Sequence, residues 1–352
     1  MLINATNIGQ NLTGLGKYSL YLVKFLLNNK QMDAPDNGEI KIYINTNASV
    51  HFNRNELKKL HLISKYVSPD YGLKGHLLRL LWTQTITEPV FNLSQLEPCL
   101  FNKNQIITVH DLIPLNFPEQ YKKQFYFFKY LLPFALKKTK KIITVSENSK
   151  KELIYFYHLD KRKIETIYNG VEQDNTRLLE QQQIHKSNYI LFVGRDSEHK
   201  NIKRLIEAFV LLKVKYKIKE KLKIVGIAKA LVAHESIEYL SYVDNPSLIN
   251  LYKKAKIFVF PSLYEGFGYP PLEAMLYGTP VITSNNSSLP EVCQDAALYV
   301  DPYDVQDIAN KIYYLLNNKN EQEKLIQAGF KNIKKFTLQK SLEKHLKIIQ
   351  PK

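Results

Sequence analysis

KIFVFPSLYEGFGYPPLEAMLYGTPVIT, residues 256–283, reads as a strand, a glycine-bearing turn, a helix and a second strand in succession. KIFVF is a continuous apolar run, the pattern of a strand covered on both faces, and TPVIT from Thr279 repeats it. Between them Pro270 precedes Pro271. A residue before proline is turned away from helical backbone, whereas proline itself suits the first helical position. The helix is therefore expected to start at Pro271, with Glu265 in the loop that leaves the strand and Glu273 in the helix's first turn. Two strands buried on both faces and joined through a helix are the repeating unit of a parallel sheet.

The same alternation extends in both directions. Strands are expected near 2–6, 40–45, 106–109, 141–145 and 163–168, then at YILFVG from Tyr189, LKIVG from Leu222 and near Ile237. Helical patterns lie between them, and further helices are expected near 305–316, 321–335 and 338–349. The class is α/β. Residues 172–187, EQDNTRLLEQQQIHKS, lose apolar periodicity, as an exposed connection does. The 352 residues, 45% of them hydrophobic, exceed the roughly 250 that one core usually organises. The expected division is a first domain at 1–171, a linker at 172–187, a second domain at 188–335 and a terminal helix within 336–352.

Composition narrows the setting. Cys99 and Cys293 stand far apart and offer neither a disulfide framework nor a C-x-x-C metal clip, so a reducing cytoplasm is expected. No apolar run approaches the 18 or so residues of a spanning helix, and no signal sequence is legible. The net charge of +16 attracts anions and anionic surfaces. From Gln120 to Ser146 there are seven lysines and no acidic residue, with Tyr121, Phe125, Tyr126, Phe127, Phe128, Tyr130 and Phe134 interleaved. Two readings of this basic aromatic helix stand: an amphipathic helix with its aromatic face buried, or docking on an anionic membrane surface, peripheral to the cytoplasm. No nucleic-acid recognition motif accompanies the charge.

The chemistry gathers in the opening stretch. Ligands of open α/β sheets bind outside the carboxyl ends of strands, and helix N-termini attract phosphates. Glu265 could accept hydrogen bonds from sugar hydroxyls, the Gly266-Phe267-Gly268 turn allows close backbone approach, and Glu273 at the start of the helix beside Leu272 could accept from a ribose. On spacing alone, Glu265 is equally an ordinary loop carboxylate and Glu273 a complement to the helix dipole. Arg195 and Lys200, five apart at a strand-to-helix junction, suit a pyrophosphate, or are surface cations at a helix start.

Taken together, the segment resembles the E-x7-E signature of the family 4 retaining glycosyltransferases, and NNSSLPEV from Asn285 is similar to the strand-loop that the family places behind the sugar site. TGLGKYS at Thr13, TVHDLIPLNFPE at Thr108, ITVSENSKKEL at Ile143, IYNGV at Ile167 and FVGRDSEHKNIKRLIEAF at Phe192 extend the resemblance along nearly the whole chain. HDLIPL is similar to the mannosyltransferase-like subset of bacterial surface-polysaccharide enzymes. The resemblance implies a GT-B fold, two Rossmann-like domains with parallel sheets facing a central cleft and the last helix crossing back to the first domain. It implies a sugar, mannose in that subset, moved from a GDP- or UDP-linked donor to a glycan or lipid-linked saccharide, with retention and without a metal.

Residue by residue, the resemblance assigns Arg195 and Lys200 to the donor diphosphate, Glu265 to the sugar and His110 with Asp111 to the donor sugar and acceptor. Gly14 and Gly16 approach the donor phosphates, Gly266, Phe267, Gly268, Leu272 and Glu273 bind the donor, and Tyr242 and Val243 contact the base. Ser146 and Asn169 line the same region at strand ends. A buried strand end is the alternative for Tyr242 and Val243, and a structural histidine for His110. No D-x-D accompanies the basic pair, and no other cofactor is implied. Two segments depart from the family: only IAKALVAHES separates Gly226 from Ile237, where a parallel crossover generally takes a dozen residues or more, and 97–105 is short. The alternatives to this function are transfer to a soluble small acceptor and a catalytically silent nucleotide- or glycan-binding scaffold.

Overall fold

The computed structural model describes residues 1–29, 40–173 and 185–349. The chain divides into two compact units, Met1–Asn169 with Gln339–Lys352, and Gly170–Leu338. Most of the expected linker, 174–184, lies outside the described residues.

In the first unit the strands are β1 (Leu2–Asn4), β2 (Lys41–Asn45), β3 (Leu60–Ile63), β4 (Val90–Asn92), β5 (Gln105–Val109), β6 (Lys141–Thr144) and β7 (Ile164–Thr166). They form one sheet in the order β3-β2-β1-β4-β5-β6-β7, and every pair is parallel. The sequence reading did not include β3 and β4. The latter is only VFN, too short for a periodic signal, yet it is buried throughout at the centre of the sheet. The short segment 97–105 still reaches β5 because the buried Gln105 amide closes the turn: its Oε1 accepts from Cys99 N and from Asn92 Nδ2, while its Nε2 donates to Cys99 O. The helix Leu338–Ile349 presents Leu342, His345, Leu346 and Ile349 to this unit's core.

The second unit holds β8 (Tyr189–Val193), β9 (Lys221–Val225), β10 (Ile237–Leu240), β11 (Ile257–Phe260), β12 (Val281–Ser284) and β13 (Ala297–Val300), parallel in the order β10-β9-β8-β11-β12-β13. The edge strand β13 was not expected from sequence. Strand order reverses between β8 and β11, so the loops leaving their carboxyl ends open a crevice there. The compressed connection after β9 carries no helix. Gly226, at φ 95°, turns the chain at once, and a Cβ there would meet Gly194 O at 2.7 Å. This glycine lets the end of β9 lie against the loop that follows β8.

One expectation at the crevice needs correcting. The helix after β11 spans Tyr269–Leu276, two residues earlier than Pro271, so Glu273 lies in its second turn and not its first. Pro270 and Pro271 occupy positions in the first turn whose N–H groups have no helical acceptor, so both prolines fit without losing a hydrogen bond.

Candidate active site

At the β8/β11 reversal, the loop after β8 carries Arg195 and a short 3₁₀ turn, Glu198–Lys200, and leads into the helix Ile202–Tyr216. Lys200 Nζ donates to Glu265 Oε1 at 2.6 Å, so a cation from one side of the crevice meets a carboxylate from the other. Ser262 Oγ donates to the same oxygen at 2.7 Å. Both side chains of the ion pair are largely buried, 16% and 10% exposed, which strengthens the attraction relative to a surface pair. Arg195 is exposed at the mouth of the loop. Glu265 N donates to Ser287 Oγ at 3.1 Å, and Ser288 Oγ donates to the carbonyls of Glu265 and Phe267 at 2.9 and 2.7 Å, so the loop from β12 braces the glycine turn. Gly268 takes φ 122°, a conformation open to glycine.

Glu273 faces a different neighbour. Tyr252 Oη donates to its Oε2 at 2.9 Å. Burial, and then the carboxylate itself, push the Tyr252 phenol well above its ordinary value, so it remains a donor at neutral pH. Leu272 is fully buried and the Phe267 ring packs edge-on against Phe336 at 5.9 Å, so both side chains belong to the core and only their backbones can meet a donor. Tyr242 is 84% exposed beyond β10, which removes the buried-strand-end alternative for it; Val243 beside it is half-buried.

In the first unit, Thr13 Oγ1 accepts from Gly16 N at 3.2 Å and caps the helix Gly14–Asn28. A Cβ on Gly14 would meet nothing within 4 Å, and one on Gly16 would touch Leu12 at 3.4 Å, so neither is required by packing. His110 closes β5: its Nε2 donates to Leu93 O at 3.0 Å, which leaves Nδ1 as the lone-pair nitrogen. Burial pushes its imidazole down to about 4, so the ring is neutral near pH 7. Asp111 Oδ1 accepts from Ile113 N at 3.1 Å. Ser146 caps the helix Glu147–Tyr157 through Ser149 N, and Asn169 Oδ1 is buried with no hydrogen-bond partner among the described residues.

Residues 89–175 match the family described as glycosyltransferase family 4, and residues 174–332 the one described as glycosyl transferases group 1. The O-antigen chain mannosyltransferase RfbU of Salmonella typhimurium is 31% identical over 319 residues, which cover 86% of this chain and 87% of that one. The chain belongs to the family 4 glycosyltransferases. The O-antigen chain mannosyltransferase B of Escherichia coli is 32% identical over 252 residues, 66% of each chain. The solved sucrose-phosphate synthase of Thermosynechococcus elongatus superposes with a TM-score of 0.73 at 16% identity, covering 99% of this chain and 97% of that one, and identifies the fold as GT-B.

Several residues of this glycosyltransferase that shape the site escaped the sequence reading. Ser262 ties Glu265 to the β8 loop, since its Oγ also contacts His199 O at 2.7 Å. Asn201 adopts φ 58°, and its Nδ2 donates to Pro261 O and Pro302 O at 2.9 and 2.6 Å, pinning Lys200's neighbour to the end of β11. Asparagine's tolerance of left-handed backbone, directly after Lys200, is the one signal that could have marked it.

Proposed function

We propose that this glycosyltransferase moves mannose, with retention of configuration, from a GDP- or UDP-linked donor to a glycan or lipid-linked saccharide in polysaccharide biosynthesis, without a metal. The observation that carries the proposal is the Lys200–Glu265 pair braced by Ser262 at the strand-order reversal. When donor enters, Lys200 exchanges Glu265 for the diphosphate, and Arg195, exposed beside it, takes the second phosphate. The two cations neutralise charge as the glycosidic bond breaks. Glu265, released from Lys200, accepts from sugar hydroxyls, and Glu273, steadied by Tyr252, accepts from the ribose. The acceptor hydroxyl attacks on the face the diphosphate leaves, and a diphosphate oxygen receives its proton. The names of the O-antigen relatives support the choice of mannose and of a polysaccharide acceptor.

A lipid-linked acceptor agrees with the basic aromatic helical run 122–138, through which the enzyme meets an anionic membrane; no helix among the described residues is long and apolar enough to cross one. Transfer assays with GDP-mannose and with UDP-hexoses, onto lipid-linked oligosaccharide, test the proposal. Product with the donor's anomeric configuration and undiminished rate in chelator is expected. An inverted product, or activity lost to chelator and restored by magnesium or manganese, would overturn it.

A further inference from the structure

The helix Gly72–Thr83 is turned inside out for a protein in water. Its buried face is Gly75, Arg79 and Thr83, and its outward ridge, one turn apart, is Leu73, Leu77 and Leu81, 52%, 50% and 66% exposed. The orientation is locked from beneath. A Cβ on Gly75 would meet Ser68 O at 2.2 Å, so the helix presses on backbone at that point. Arg79 Nε donates to Glu97 Oε1 at 2.7 Å and Nη1 to Val67 O at 2.7 Å, with both charged side chains almost fully buried. Rolling the helix to hide its leucines would strip a buried carboxylate of its partner, a strongly unfavourable change. The leucines are thus held outward by the fold.

The ridge has a neighbour of matching character. His76, next to Leu77 on this helix, meets the Phe127 ring edge-on at 5.5 Å, so the helix touches the run Lys122–Tyr126, Phe127–Leu131 and Leu132–Lys138. Phe128 is buried there, but Tyr126, Tyr130 and Phe134 are exposed. Lys129 Nζ lies over the Phe125 and Tyr130 rings at 5.2 and 5.4 Å, and Lys138 Nζ over Phe134 and Phe101 at 3.7 and 5.2 Å. Aliphatic ridge, exposed aromatics and lysines are the three components of an interfacial surface. A second copy of the chain is a poor occupant, because a self-paired face would bring lysine rim against lysine rim.

We propose that Leu73, Leu77 and Leu81 insert below the headgroups of an anionic bilayer, while the lysines of the 122–138 run hold its phosphates. This rests on the membrane reading given above and adds the apolar half that the charge alone does not supply. The two halves respond differently to salt, since lysine contacts are screened and leucine burial is not.

With vesicles of phosphatidylglycerol in phosphatidylcholine, wild type should sediment, and part of the binding should persist in high salt. Leu73→Gln, Leu77→Gln and Leu81→Gln together should weaken partitioning at least tenfold and abolish the salt-resistant part, while Lys129→Gln, Lys137→Gln and Lys138→Gln together should reduce the salt-sensitive part and leave the salt-resistant part in place. Equal partitioning of the triple leucine variant and wild type, or wild-type binding that high salt removes completely, would overturn the proposal. So would wild type running as a dimer that the leucine changes convert to monomer. Calorimetry of the donor with the leucine variant should match wild type, so a failure of docking stays separate from a failure of the proposed transfer.

Discussion

Glu265 and Glu273 differ in partner, and that difference predicts different losses. Glu265→Ala frees Lys200 and, on the proposed function, removes acceptors for the sugar, so free nucleoside diphosphate should bind as well as before or better while transfer collapses. Glu273→Ala should weaken diphosphate and intact donor alike, by about 1.5 to 3 kcal/mol, because the ribose is common to both. Calorimetry of the two variants with each ligand checks this; equal weakening of free nucleoside diphosphate by both would reverse the assignments. Arg195→Gln and Lys200→Gln should reduce kcat by roughly 10² to 10³ while shifting donor affinity much less, since their charge matters most as the diphosphate leaves. Single-turnover rates against donor titrations separate the two. The sequence pointed to these four residues through the resemblance of their motifs to the family's, because spacing alone left each of them an ordinary structural reading. Ser262 and Asn201 were hidden, since one serine or asparagine in a loop carries no periodicity, and the carbonyls they hold, His199 O and Pro261 O, lie 63 and 60 residues along the chain.

At the scale of elements, continuous apolar runs such as YILFV and IFVF were legible because burial on both faces leaves no room for polar alternation. VFN in β4, LHLI in β3 and ALYV in β13 were not, being short or at a sheet edge where polar residues intrude. The helix Gly72–Thr83 defeats periodicity in another way: its apolar stripe is real but points outward. Gly226 marks a point where one atom decides an element's position. Gly226→Ala would set a methyl 2.7 Å from Gly194 O at a φ that alanine resists, so stability should fall by about 1 to 3 kcal/mol and donor binding should weaken with the displaced Arg195 loop. Gly14→Ala, where nothing lies within 4 Å, should fold with undiminished stability. Denaturant melts of the pair test the contrast, and equal stability in both would remove the packing argument.

The whole molecule should lose stability below neutral pH through its histidines. In the first unit, the Leu338–Ile349 helix is tied in by His345: Nδ1 donates to Ser341 O at 2.8 Å, and Nε2 accepts from Tyr18 Oη at 2.7 Å, which in turn accepts from Thr108 Oγ1 at 2.9 Å. This chain of bonds requires neutral His345, and burial pushes its imidazole down to about 4, as it does for His110, whose ring meets Tyr18 edge-on at 4.6 Å. Above about pH 6.5 both rings are neutral folded or unfolded, and their full contribution is present. As pH falls from 6.5 toward 4, the unfolded chain takes up protons that the folded unit refuses, so stability drops by up to about 1.4 kcal/mol per pH unit for each histidine. Among the described residues of the second unit, His199 is the comparable group, also held near 4 by burial. Carboxylates with lowered values, Asp70, Asp160, Glu220 and Asp244, begin to matter only below about pH 4.5. Calorimetric scans from pH 7.5 to 5 should therefore show melting temperature falling, with the first unit's transition falling faster. His345→Gln should lower the plateau stability and also flatten that slope, by removing one of the protons taken up. Melting that is independent of pH across this range, or a slope unchanged in His345→Gln, would show that these histidines are not neutral in the folded protein.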